Sequence, residues 1–62
     1  MRIESKNAKL LNVKGVILRL QGKLAEAIET HEKAAEYDPN YYANWVSLAN
    51  TYALYHALDN AE

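Results

Sequence analysis

The only proline of the chain, Pro39, stands in "EYDPNYY" between two stretches of good helix formers. A proline ring removes a backbone N–H, collides with the carbonyl four residues earlier and steers the preceding residue away from helical geometry. One helix must therefore stop near Tyr37 and another begin just beyond, with Asn40 placed to cap it through its side-chain oxygen. Gly22 marks a second break. It suits the left-handed C-cap of a preceding helix, whose last turn carries the cation Arg19. Two breaks leave three segments.

The middle segment, "LAEAIETHEKAAEY", is the clearest helix. Leu24, Ala27, Ile28, His31, Ala34 and Ala35 recur at helical spacing, and Glu26, Glu29, Glu32, Lys33 and Glu36 fill the other side. Glu29 precedes Lys33 by four, the favourable order for a helical ion pair. No evident N-cap side chain precedes Leu24. The first segment, "AKLLNVKGVILRLQ", is apolar on two sides, with Leu10, Leu11, Ile17 and Leu18 on one and Val13, Val16 and Leu20 on another. That pattern suits a helix with neighbours on both sides. A hairpin around Lys14-Gly15 is the alternative that Val and Ile favour. Lys is a poor first residue for a two-residue turn needing positive φ, so the segment reads as helix. In the third segment Trp45, Leu48, Tyr52 and Tyr55 keep helical spacing, and Leu54, Ala57, Leu58 and Ala61 continue it. No Gly or Pro gives a strong signal to turn near His56, which leaves two courses for this helix, a turn there or a run on towards Glu62.

Sliding the chain on itself by 34 residues aligns Leu11 with Trp45, Gly15 with Ala49 and Leu18 with Tyr52. The same shift pairs Leu20 with Leu54, Leu24 with Leu58 and Ala27 with Ala61. The matches fall on apolar and small positions, where packing dictates residue type. A helix–turn–helix period of this length is the tetratricopeptide spacing.

On these residues the chain resembles the tetratricopeptide repeat family. Leu11, Gly15 and Leu18 match the bulky–small–bulky pattern of that family's first helix. Ala27, His31 and Ala34 take the second-helix positions, and Pro39 closes the unit. Trp45, Leu48, Ala49 and Tyr52 open a second unit, and Ala61 matches the start of its second helix. The resemblance implies an all-α fold of antiparallel helix–turn–helix units. About one and a half repeats make a single domain over 1–62, with repeat one at about 8–41 and a partial repeat two at about 42–62. Close helix crossings need small side chains, so Gly15 is expected to meet Ala27 at one crossing and Ala34 to face the helix after Pro39. Departures are Lys14 where the family has Leu, His31 in place of an aromatic, and His56-Ala57 at the usual turn.

The resemblance also implies a protein–protein interaction scaffold that holds a peptide or helix in a concave groove. Its groove positions fall on Lys9, Asn12, Val13, Val16 and Arg19 of the first helix, and on Ala43, Val46, Ser47 and Asn50 of the third. Asn12 and Val16 stand where the carboxylate-clamp version of the family needs Lys and Asn, so that ligand is not expected. Leu48, Tyr52, Tyr55 and Leu58 would lack a cover, which points either to a longer array or to two chains covering each other. The second function reading is therefore a self-associating structural module, a homodimer formed by helix exchange.

Composition narrows the remaining classes. Residues 1–23 balance to +5 and residues 24–62 to −6. The basic residues are diffuse and carry no interleaved aromatics for base stacking, so nucleic acid is not the expected partner. No run reaches the ~20 apolar residues of a membrane span, and "MRIESKNAK" is too polar for a signal peptide. With no Cys to staple the fold, a cytoplasmic setting is expected. His31 reads as a packed, hydrogen-bonded core residue and His56 with Asp59 as two groups too few for a metal. No Gly-rich phosphate loop or nucleophile–base spacing occurs. The expectation is a non-enzyme without cofactor or metal, working through protein contacts.

Overall fold

The computed structural model describes the backbone of residues 3–59 and the side chains of residues 7–58. Arg2 of the basic segment, and Ala61 and Glu62 at the end of the second repeat, lie outside the described residues. Three helices follow one another: α1 (Ile3–Leu20), α2 (Leu24–Tyr37) and α3 (Tyr42–Asp59). No strand occurs among the described residues, so the hairpin around Lys14-Gly15 is excluded.

Gly22 ends α1 as its sequence position requires. Its φ of 85° is left-handed, the Lys23 N–H reaches the Leu18 carbonyl at 2.9 Å, and its own N–H reaches that of Arg19 at 3.0 Å. These are the two bonds of a Schellman cap, which returns the chain antiparallel at once. α2 begins at Leu24 with Lys23 at its N-cap and no side-chain bond there. It stops at Tyr37 because Asp38, held before Pro39, leaves helical geometry at φ −150°.

The start of α3 differs from expectation. Asn40 is not the side-chain acceptor; its backbone N–H donates to Asp38 Oδ1 at 3.1 Å. An aspartate two residues upstream forms an Asx turn readily, and so takes over the task of organising the bend. Trp45 is 44% exposed, its indole N–H donating to the Pro39 carbonyl at 2.6 Å. α3 then runs without a break past His56 to Asp59.

α2 packs against both other helices, and α1 also touches α3. The apolar core consists of Ala8, Leu24, Ala27, Ile28, Ala34 and Leu48. Leu10, Val13, Ile17 and Leu20 remain exposed while Leu11, Val16 and Leu18 are half-buried, so the open stripe of α1 takes two residues from each of the apolar sides expected from the sequence. α3 turns Asn44, Leu48 and Thr51 inward, a face rotated from the aromatic stripe of Trp45, Tyr52 and Tyr55.

Candidate protein-binding surfaces

The helix joints set where the surfaces lie. At the α1–α2 joint a Cβ placed on Gly15 would lie 2.5 Å from the His31 ring. The small residue thus accommodates an imidazole, not Ala27 as the sequence suggests. Ala27 is itself fully buried, but the ring is the larger body and reaches the glycine first. His31 is a packed, hydrogen-bonded core residue, as its place on the apolar stripe implies. Its Nδ1 lies 2.9 Å from Asn44 Oδ1, while Asn44 Nδ2–H donates to the His31 carbonyl at 2.9 Å. An amide oxygen only accepts, so Nδ1 carries the donated hydrogen. Nε2 faces the Gly15 side and has no partner.

His31, Asn44 and Thr51 are the largest fully buried side chains, and all three are polar. The hydroxyl of Thr51 is satisfied by the Ser47 carbonyl at 2.8 Å, one turn back. Sequence periodicity missed Asn44 and Thr51. A signal existed: both share one helix face with Leu48, at i, i+4 and i+7. At the surface, the Tyr52 hydroxyl donates to Glu32 Oε2 at 2.8 Å, a second tie between α2 and α3. Accepting that bond, Glu32 raises the phenol above its ordinary value of 10.0, and lost solvation and the carboxylate charge add to the shift.

The groove residues keep solvent access. Lys9, Val13, Ala43, Val46 and Asn50 are exposed, and Asn12, Val16, Arg19 and Ser47 are half-buried. Asn12, Val16 and Arg19 follow one another at i, i+4 and i+7 on one face of α1. Asn12 Oδ1 and Arg19 Nε are each shut off from solvent with no hydrogen-bond partner.

The residues expected to form an uncovered face separate. Leu48 is 6% exposed and belongs to the core, because α3 is rotated from its aromatic stripe. Tyr52 is held by Glu32. Tyr55 and Leu58 line a hollow of about 520 Å³ with the start of α2, from Gly22 to Glu26. No group of three or more His, Cys, Asp or Glu is gathered for a metal ion among the described residues. Likewise, no described helix is long and apolar enough to cross a membrane.

The tetratricopeptide repeat family model matches residues 8–41. That stretch covers α1 from Ala8, all of α2 and the Pro39 turn, more than half of the chain. The chain belongs to the tetratricopeptide repeat family. No curated protein and no solved structure matches it. Tetratricopeptide repeats are non-catalytic scaffolds that mediate protein–protein interaction. Within this repeat the His31 imidazole occupies the second-helix position that the family gives an aromatic, and it adds a hydrogen bond to α3 that a hydrocarbon ring would lack.

Proposed function

We propose that this tetratricopeptide chain binds an extended segment of a partner protein along α1 and the adjoining side of α3. The observation that supports this reading is the pair of unpartnered atoms on the groove face, Asn12 Oδ1 and Arg19 Nε. A buried polar group without a partner costs about 1–3 kcal/mol. Turning outward to a ligand relieves that cost, so both side chains are predisposed to bind. Seven residues of helix separate them by roughly 10 Å, which is about three residues of an extended strand. The fitting ligand offers a backbone N–H to Asn12 and an acidic group to Arg19. Val13, Val16 and Val46 supply apolar contact alongside, and Asn50 a further amide. Catalysis has no part in this reading.

Peptide arrays followed by fluorescence polarisation test it. A captured acidic peptide is expected to lose at least about tenfold in affinity with Arg19→Ala and with Asn12→Ala, since tenfold is ~1.4 kcal/mol. Unchanged affinity in both variants would remove the groove assignment.

A further inference from the structure

The open stripe of α1 lies beside the groove and differs from it in chemistry. Leu10, Val13, Ile17 and Leu20 are all exposed, and they recur at intervals of three, four and three residues. At ~100° per residue they fall within an arc of about 80°, centred roughly opposite Gly15. Gly15 is the residue against the His31 ring, so the arc points away from the α1–α2 joint. An apolar face that covers a core is broader, about 100° or more, whereas a narrow 3-4-3 stripe is the seam along which two helices pair. The borders of this seam are basic. Lys9 flanks it on one side and Lys14 on the other, both exposed, and neither has an ion pair with a described residue. Lys14 shares a hollow of about 210 Å³ with Leu11, Glu29, Thr30 and Lys33. Two cations face one carboxylate there, so that border stays positive.

We infer that the Leu10–Leu20 seam pairs with one helix of a partner protein, an amphipathic helix with aliphatic residues at the same spacing and Asp or Glu on both flanks. Charge complementarity selects this occupant. Residues beside a helix seam lie against the partner's flanks, where opposite charges set the choice of partner. A second α1 would bring lysine against lysine at these borders. The acidic helix of the chain does not fit either. α2 exposes Glu26, Glu29, Glu32 and Glu36, but its exposed apolar residues are Ala25 and Tyr37, at opposite ends, and they make no seam. An anionic lipid surface would also suit cations beside an apolar stripe. Helices that lie in a bilayer interface present a broad apolar face and are anchored by aromatic side chains. The arc on α1 is narrow, and the helix has no Trp, Tyr or Phe. Lys9 and Val13 border the groove, whereas Leu10, Lys14, Ile17 and Leu20 have no part in it.

From Leu10 to Leu20 the seam is roughly 15 Å long, a short contact, so binding is expected at tens to hundreds of micromolar. Fluorescence polarisation tests it with the full chain and a labelled helical peptide of about three heptads, Leu at the seam positions and Glu at both flanks. The same peptide with Lys in place of Glu is the control. The Glu peptide is expected to bind at least about tenfold more tightly than the Lys peptide. Ile17→Ser should weaken it by a similar factor, and Lys9→Glu with Lys14→Glu should reverse the preference between the peptides. Asn12→Ala and Arg19→Ala should leave it unchanged, which separates failure of the seam from failure of the groove. No binding at millimolar concentration, equal binding of the two peptides, or loss in Asn12→Ala or Arg19→Ala would each overturn the proposal. Two further outcomes would hand the face to another occupant and overturn it as well. One is retention on phosphatidylserine vesicles that Ile17→Ser abolishes; the other is a doubled mass in sedimentation equilibrium that Ile17→Ser returns to a single copy. Helicity by circular dichroism confirms that each variant still folds.

Discussion

Gly15 and His31 show how one position determines another far along the chain. A methyl group on Gly15 meets the imidazole at 2.5 Å, and the ring is not free to move, since Asn44 holds its Nδ1 and also grips the His31 backbone carbonyl. Overpacking of this kind costs about 1–3 kcal/mol, against roughly 1 kcal/mol gained in helix propensity. Gly15→Ala is therefore expected to destabilise the chain by up to about 2 kcal/mol in chemical denaturation. On a His31→Ala background the methyl has room, and the same change is expected to be neutral or stabilising by up to ~1 kcal/mol, a sign reversal that a double-mutant cycle reads directly. The sequence announced the glycine and placed the histidine in the core. It did not announce the partner, because Asn44 looks like one more polar residue beside Trp45, and aromatic bulk drew the helix face towards Trp45, Tyr52 and Tyr55.

At the scale of elements, the two glycines work by opposite physics. Gly15 is there for space, whereas a Cβ on Gly22 meets nothing within 4 Å and its backbone sits at φ 85°. An L-residue pays about 1–2 kcal/mol to hold the left-handed region, part of which is regained from a less flexible unfolded chain. Gly22→Ala is expected to lower unfolding free energy by about 1 kcal/mol, and Gly22→Asn by less, since asparagine tolerates that region. Replacing His31 should not alter either effect. Helix ends were legible because proline and glycine act locally: Tyr37 and Leu20 end their helices where Pro39 and Gly22 require. The cap of α3 was not, because Asp38 and Asn40 both offer a side-chain oxygen and only the course of the backbone chooses between them. The unbroken run of α3 past His56 follows from a missing stop signal.

For the molecule as a whole, α2 is the shared wall, and its two polar ties to α3 lie at opposite depths. The buried His31–Asn44 pair is shut away from solvent, whereas the Tyr52–Glu32 bond is exposed and titrates. The raised Tyr52 value means that the folded state favours the protonated phenol. Its contribution is complete below the unfolded value of 10.0 and is lost as pH climbs through the folded one. Thermal unfolding at mildly and strongly alkaline pH should accordingly show a steeper alkaline loss for the parent than for Tyr52→Phe, with no difference in slope near neutrality. The repeat period and the all-α class were readable from spacing alone, since packing restricts residue type at few positions. The surfaces were less so: Leu48 was expected in the open and lies inside, because a helix rotated by part of a turn exchanges its neighbours. The chain has one tryptophan, and its indole is fastened to the carbonyl of the hinge proline. Its fluorescence is thus a built-in, label-free gauge of whether the third rod is seated, able to separate a loosening of that joint from melting of the first hairpin.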